Sequence, residues 1–161
     1  QTCALPIFGE PLEYIRSGTS WVKIDQNLNY LLTNGIKPSS TPVISILNLW
    51  FIKDLFEYAY QKQISVSPSI LKGPDYLALD VIPDQLKSLA LEKINQIKEY
   101  IDINLYTHLI NIVTNNVNQC LIQHSIAHIL LLDNKRNEKL FNLLPFHQIA
   151  KELLLKNHEY G

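Results

Sequence analysis

The stretch VISILN at residues 43–48 decides the fold class of this chain through the two segments that follow it. VISILN is apolar and rich in β-branched residues, which is typical of a buried strand. Residues 49–61, LWFIKDLFEYAYQ, place apolar side chains at helical offsets, and residues 64–70, ISVSPSI, alternate apolar with small polar side chains. A strand, a helix and a second strand in this order predict a crossover connection and therefore a parallel sheet.

A short helix is predicted directly before this unit. Apolar residues follow helical spacing over residues 21–32, with Thr19 or Ser20 as the N-cap and an Asn-Gly stop at residues 34–35. Pro68, near the end of the second strand, limits that segment to an edge, a bulge or a strand end.

The predicted parallel strands indicate where a ligand would bind and how soluble the chain would be. Such strands are normally buried on both faces, and ligands collect at their carboxyl ends, which here lie beside Asn48 and the loop after Ile70. Two or three strands also leave an open edge, which exposes backbone donors, acceptors and apolar side chains. We therefore expect marginal solubility and non-specific self-association through the exposed sheet edge.

The pattern from residue 75 onward is helical only. One helix is predicted from Pro83 to Ile101, and a second from residue 106 to residue 132 with a break near residues 115–116. Residues 132–145 then predict a loop, a short helix and a stop at a proline, and residues 146–156 predict a last short helix. The predicted fold class is therefore α/β, with a few parallel strands followed by helices.

The same pattern divides the chain into a region with parallel strands, residues 9–82, and an all-helical C-terminal extension, residues 83–161. Residues 1–7, QTCALPI, match the in-frame translation of a common sequencing-adapter oligonucleotide residue for residue. Residues 1–8 are therefore interpreted as an adapter-derived artefact and left out of the fold prediction. The alternative is a genuine N-terminal strand that ends at Pro6.

Composition argues against several classes of function. The formal net charge of −1 and the pI near 6.6 give no basic patch for nucleic acid. The longest apolar runs, such as IAHILLL at residues 126–132, are too short and too interrupted to cross a bilayer. Two cysteines make neither a disulfide framework nor a metal cage, which fits a reducing compartment. We expect a soluble, cytoplasmic chain with no nucleic-acid or membrane partner.

Four longer segments carry a resemblance to a known family. They are EYIRSGTSWVKIDQNLNYL at residues 13–31, VISILNLWFIKDLFEYA at 43–59, LKGPDYLALDVIPDQLK at 71–87 and LDNKRNEKLFNLLP at 132–145. In order and spacing they resemble the later part of radical S-adenosylmethionine (SAM) proteins of the twitch-domain type. The resemblance covers the chain from Gly9 to about Pro145. It implies that the strands belong to the rear part of a partial (β/α) barrel.

The resemblance also implies two cofactors for the parent enzyme. They are SAM and a [4Fe-4S] cluster that cleaves SAM to a 5′-deoxyadenosyl radical, and the family holds the cluster with three cysteines in a CxxxCxxC loop. This chain has no such loop, and Cys120 is its single cysteine outside the adapter-like segment. Because thiolates hold such a cluster, the chain alone is expected to be inactive. The parent's substrate would be a small molecule or a peptide. The alternative is a non-catalytic α/β-helical binding or scaffold module.

Arg16, Ser45 and Asn48 are the candidate cofactor-binding residues. The resemblance places Arg16 near the SAM or substrate end of the barrel, where a guanidinium suits a carboxylate; the alternative is a surface ion pair with Glu13 or Glu10. Asn48 can bind the amino acid part or the ribose of SAM, or can cap the helix that follows it. Ser45 lies at odd spacing from Asn48, so an ideal strand would direct the two side chains to opposite faces.

Lys72 and Asp75 are weaker candidates for the substrate side. They flank Gly73-Pro74, which mainly indicates a turn.

Cys120, His124 and His128 recur every four residues and would form a stripe of metal-ligand types on a helix. The glutamate of an HExxH site is absent, and no second ligand cluster is evident. The sequence therefore favours partly buried structural residues over a metal site.

Overall fold

The computed structural model describes residues 2–3, 13, 15–16, 18–115, 119–137, 139, 142 and 144–147. The α-helices that are delimited within them are α1, Trp21–Thr33; α2, Ile52–Gln61; α3, Asp84–Gln96; α4, Ile103–Asn115; and α5, Gln119–Arg136. Glu13, Ile15, Phe146 and His147 also have helical backbone. The strands are β1, Thr2–Cys3; β2, Ser39–Ser40; β3, Val43–Ile44; β4, Ser65–Val66; and β5, Ser69–Ile70. Short 3-10 helices span Leu49–Phe51, Asp75–Leu77, Leu79–Val81 and Lys98–Tyr100.

The fold is mixed helix and strand and mostly helical, and the strands within the described residues close no barrel. β1, β2 and β4 form one sheet in that order, and β3 pairs with β5; every pairing is parallel, as the crossover pattern predicted. β1 lies within the adapter-like segment and forms one edge of its sheet.

The two sheets are one parallel ladder that prolines interrupt. The bonds that continue it run from Ser67 N–H to Ser40 O at 2.8 Å, from Ser69 N–H to Pro42 O at 2.9 Å and from Leu71 N–H to Ile44 O at 2.9 Å. Pro42 lacks the N–H that would donate across this ladder, whereas Pro68, between the two donors Ser67 and Ser69, directs its nitrogen to the free edge and removes a donor there. The predicted strand at residues 64–70 is therefore split at Ser67 and Pro68 into β4 and β5.

The predicted strand at residues 43–48 is wrong beyond its first two residues. β3 ends at Ile44, and Ser45 begins a turn in which its carbonyl accepts the Asn48 N–H at 3.3 Å and the Leu49 N–H at 3.1 Å. The apolar pattern continues through this turn because Ile46 and Leu47 are buried as well. Periodicity alone does not distinguish a buried turn from a buried strand.

One face of the ladder is exposed, which differs from the expectation of two buried faces. Ser40, Pro42 and Ile44 are buried, whereas their neighbours in the alternating pattern face outward. The exposed side chains on this outward face are Thr41, Val43, Ser65, Ser67 and Ser69. Except for Val43 they carry small hydroxyl groups, so the outward face of the ladder is mostly polar.

The helical region follows the sequence pattern with shifted ends. α3 begins after Pro83 and ends at Gln96, before the 3-10 helix Lys98–Tyr100, so the predicted helix to Ile101 is too long. α4 and α5 lie on either side of the predicted break near residues 115–116. α5 continues to Arg136, beyond the predicted loop start at residue 132. Most of the predicted helix at residues 146–156 lies outside the described residues.

One hydrophobic core unites both predicted regions. Buried side chains from α1, β3, α2 and the helices after residue 83 form a single cluster that extends from Leu28 to Phe146. Trp50 packs edge-on against Phe146 with ring centroids 5.7 Å apart, which joins the strand region to the chain after α5. No helix in the described part of the chain is both long enough and apolar enough to span a membrane.

A polar network around Asp25 joins α1 to α2. Tyr58 Oη donates to Asp25 Oδ1 at 2.5 Å, and Asn29 Nδ2 donates to Asp25 Oδ2 at 2.9 Å. Lys62 Nζ donates to Asn29 Oδ1 at 2.7 Å and lies 3.9 Å from Asp25 Oδ1. The Trp21 ring packs edge-on against Tyr58 at 5.0 Å. Burial, then the hydrogen bond to Asp25 and its charge, raise the pKa of Tyr58 well above the usual value.

Tyr58→Phe is expected to lower the free energy of unfolding by about 1–2 kcal/mol at neutral pH, because Asp25 loses a hydrogen bond from a buried donor. An unfolded tyrosine loses its proton near pH 10, whereas folded Tyr58 keeps it. The wild-type chain should therefore lose stability above about pH 10, by at most about 1.4 kcal/mol per pH unit, because the Tyr58 hydroxyl proton is released on unfolding. The Tyr58→Phe variant has no such proton and should lack this contribution to the pH dependence.

Urea unfolding of both chains from about pH 7 to pH 10.5 measures the difference in stability. The difference should shrink toward the alkaline end of this range. A difference that stays constant would contradict the assignment of the raised pKa to Tyr58.

Candidate functional site

A cleft of about 250 Å³ lies at the carboxyl ends of β3 and β5. The residues that line it are Ile15, Arg16, Thr41, Pro42, Val43, Ser45, Leu47, Asn48, Leu71, Pro74 and Leu77. This is where the sequence predicted a ligand site. All three candidate cofactor-binding residues, Arg16, Ser45 and Asn48, lie in the lining.

Asn48 organises the floor of the cleft. Its side chain is 3% exposed, its Oδ1 accepts the Ser45 N–H at 2.7 Å, and its Nδ2 donates to Val43 O at 2.6 Å. The side chain makes no capping bond to the 3-10 helix Leu49–Phe51, so the predicted capping role is wrong. The amide instead closes the turn that ends β3, because it reaches back to the backbone on both sides of Ile44.

Ser45 and Asn48 line the same cleft, so the prediction that they face opposite sides is wrong. The alternation rule applies to a strand, and these residues lie in a turn. Ser45 is 8% exposed, and its Oγ accepts the Leu47 N–H at 3.3 Å. The signal available in the sequence was the Ser-x-x-Asn spacing, which favours a side-chain-closed turn.

The remaining hydrogen-bonding capacity of these side chains favours an acceptor as ligand. Ser45 uses its oxygen as an acceptor toward Leu47 and retains its hydroxyl proton, and Asn48 retains a second amide proton. Arg16 adds a guanidinium, which can only donate. The other side chains that contribute to the wall, Thr41 excepted, are apolar. A ligand with a carboxylate or a carbonyl group and an apolar body matches this arrangement.

Arg16 reaches the cleft from the turn that precedes α1. The side chain is exposed, and the Arg16 carbonyl accepts the Thr19 N–H at 2.9 Å. Glu13, the partner suggested by the alternative interpretation of Arg16, uses its Oε1 to accept the Trp21 N–H at 2.8 Å. The other suggested partner, Glu10, lies outside the described residues.

Lys72 and Asp75 do not line the cleft, although Leu71 and Pro74 beside them do. Both side chains are exposed, and Asp75 begins the 3-10 helix Asp75–Leu77. They remain candidates for contact with a substrate that extends beyond the cleft.

Sequence reasoning did not identify the apolar wall formed by Leu47, Leu71, Pro74 and Leu77. Leu77 reaches the wall because its carbonyl accepts the Ile46 N–H at 3.1 Å, which ties the segment after β5 to the turn after β3. That contact joins residues far apart in the chain, and neither segment's own spacing could have predicted it.

His124 and His128 both contact Tyr76 from α5. The Tyr76 ring stacks on His124 with centroids 4.5 Å apart and lies 4.9 Å from His128. Ser125, between them, contacts the Tyr76 carbonyl through its hydroxyl. The two histidines therefore hold the segment behind the cleft wall to α5. His124 is exposed and His128 half-buried, while the Cys120 side chain lies outside the described residues.

Comparisons with protein-family models, with curated proteins and with solved structures give no match for this chain.

The side chains available as metal ligands can be compared with those that hold the iron-sulfur cluster in the resembled family. No group of at least three metal-binding side chains occurs among the described residues, and the sequence carries two cysteines rather than a CxxxCxxC loop. The residues present therefore do not fit a [4Fe-4S] cluster.

Proposed function

We propose that this chain is the later part of a radical SAM enzyme and that its cleft binds the carboxylate-bearing end of SAM or of the parent's substrate. The observation that carries the proposal is the position of Arg16, Ser45 and Asn48 in one cleft at the carboxyl ends of parallel strands. The order α1, strand, α2, strand also supports the rear part of a partial (β/α) barrel.

The size of the cleft limits what it can hold. Sites for complete small ligands usually measure about 300–1,000 Å³, and this cleft measures about 250 Å³. It therefore suits one end of a molecule such as SAM, with the remainder outside the lining described above. The hydrogen-bond donors on Arg16, Ser45 and Asn48 favour the carboxylate of the amino acid part over the adenine.

The chain alone is not proposed to cleave SAM, because it lacks the thiolates that would hold the cluster. The parent's substrate remains either a small molecule or a peptide. The low cysteine content is consistent with a cytoplasmic parent.

A second candidate function is a non-catalytic binding module. It is favoured by the fact that the floor of the cleft is complete within this chain. Asn48 bonds to Val43 and Ser45, and no cluster is needed to hold that turn. Both candidates require the cleft to bind a ligand, and cofactor cleavage by the complete parent separates them.

Arg16→Ala is expected to weaken SAM binding about 10- to 100-fold, because a hydrogen bond between charged groups contributes about 1.5–3 kcal/mol. Titration calorimetry with SAM and with decarboxylated SAM measures the effect, since the two ligands differ in the carboxylate alone. The variant should lose the preference for SAM over its decarboxylated form.

Arg136→Ala is the matched control, since Arg136 lies on α5 outside the cleft lining and is the other arginine of the chain. It should leave both affinities unchanged. A wild-type chain that binds the two ligands equally, or neither of them at millimolar concentration, would contradict the proposed function.

A further inference from the structure

The turn that carries Arg16 is held at both ends by hydrogen bonds. Within it, the Thr19 N–H donates to the Arg16 carbonyl at 2.9 Å. Across it, the Trp21 N–H donates to Glu13 Oε1 at 2.8 Å, a contact that spans eight residues. Gly18 adopts φ +83°, a conformation that glycine reaches without strain. Glu13 and Ile15 have helical backbone, and the bond from Trp21 ties Glu13 to the start of α1.

Glu13 accepts a hydrogen bond from the first residue of α1, a role that the sequence pattern assigned to the N-cap residue. Ser20 occupies the N-cap position of α1, but its side chain makes no capping bond, and the first turn of α1 contains no acidic residue. A carboxylate that accepts the first N–H groups of a helix is favoured by the helix dipole and by the strength of charge-assisted hydrogen bonds. At α1 that carboxylate comes from a residue outside the helix.

The residues that follow Glu13 present two consecutive side chains to the cleft. Ile15 and Arg16 both line it, and Ile15 packs against the hydrophobic core. Both residues lie between Glu13 and the bond from Thr19, so their direction depends on where these two ends are fixed. If Glu13 releases Trp21, α1 still keeps its packing on the core through Leu28, but the bond that ties Glu13 to the first residue of α1 is lost.

We propose that Glu13 is a positioning residue for Arg16: its bond to the Trp21 N–H fixes Glu13 against the start of α1, so that the Arg16 guanidinium three residues later faces the cleft. This inference rests on the proposed function only for the consequence, which is selectivity for a carboxylate. The placement of Ile15 and Arg16 can be measured without any ligand.

Glu13→Ala and Glu13→Gln test the placement. Glutamine retains a side-chain carbonyl that can accept the Trp21 N–H, whereas alanine does not. Methyl NMR of the wild-type full chain is expected to show nuclear Overhauser contacts between the Ile15 methyl groups and methyl groups of other residues that line the cleft. These contacts should disappear in Glu13→Ala and persist in Glu13→Gln. Their persistence in Glu13→Ala would overturn the inference.

The same variants are then titrated with SAM and decarboxylated SAM. Glu13→Ala should lose at least about tenfold of the preference for SAM, approaching the value for Arg16→Ala, and Glu13→Gln should keep most of it. Gln26→Gly is the control for destabilisation of α1, because Gln26 is exposed in the middle of that helix and glycine weakens helices. It should lower the melting temperature without changing the preference.

The two failures are distinguishable. If the wild-type chain shows no preference for SAM while the Ile15 contacts vanish in Glu13→Ala alone, the proposed function is wrong and the positioning role is supported. If the preference exists and Glu13→Ala retains it, the proposed function stands and the positioning role is wrong. Equal loss of the preference in Gln26→Gly would also overturn the positioning role, because weakening α1 would then suffice.

Discussion

Trp50→Ala should lower the free energy of unfolding by about 4–5 kcal/mol, near the upper end of what truncation of a buried aromatic residue costs. Trp50 is buried in the 3-10 helix that follows the cleft floor, and its Nε1 donates to Ile46 O at 2.6 Å. Its ring also packs edge-on against Phe146. The substitution therefore leaves a cavity, an unpaired carbonyl and a lost aromatic contact at one place.

Urea unfolding followed by circular dichroism measures this loss. A domain of ordinary stability has about 5–15 kcal/mol in total, so the variant should be marginal or unfolded at room temperature. Tyr60→Ala is the control, because Tyr60 is 74% exposed and its truncation should cost little. If the two variants unfold at the same urea concentration, the region before residue 82 and the chain after α5 do not share a core.

Asn48→Ala is expected to lower the free energy of unfolding by about 2–4 kcal/mol. The variant leaves the buried Ser45 N–H and the partly buried Val43 carbonyl without their partner, and an unsatisfied buried group costs about 1–3 kcal/mol. The same change should loosen the floor of the cleft, so ligand binding and stability should fall together.

Ser45→Ala is the comparison for Asn48→Ala in thermal and chemical unfolding. It removes one long hydrogen bond, from Leu47 N–H at 3.3 Å, and should cost about 1 kcal/mol or less. A smaller effect for Asn48→Ala than for Ser45→Ala would mean that water replaces the amide and that Asn48 does not organise the turn.

The sequence predicted the elements that depend on local pattern. The helical spacing of residues 21–32 and 49–61 gave α1 and α2 nearly to their ends, and the strand-helix-strand order gave parallel pairing. It did not predict the end of β3, because the Asn48 amide that stops this strand acts through the backbone of Val43 and Ser45. Apolar residues continue through the turn, and periodicity therefore predicted a longer strand.

The candidate site was predictable in its polar residues and not in its walls. Arg16, Ser45 and Asn48 were identified from residue type and from the resemblance, and the structure brings them together. Leu71 and Leu77 come from the segment after β5, well after Ser45 and Asn48 in the chain. Their placement depends on tertiary hydrogen bonds such as the one from Ile46 N–H to Leu77 O. Glu13 was missed as the partner of the α1 N-terminus because capping rules consider residues adjacent to the helix.

The outward face of the parallel ladder determines how further chain could be added to the sheet. Thr41, Ser65, Ser67 and Ser69 are exposed there, and a layer stacked on that face would have to supply hydrogen bonds to their hydroxyl groups in place of solvent. An added strand at the edge instead extends the backbone ladder and leaves those hydroxyl groups exposed to solvent. The sheet is therefore suited to growth sideways, strand by strand, and resists the formation of a two-layer sandwich.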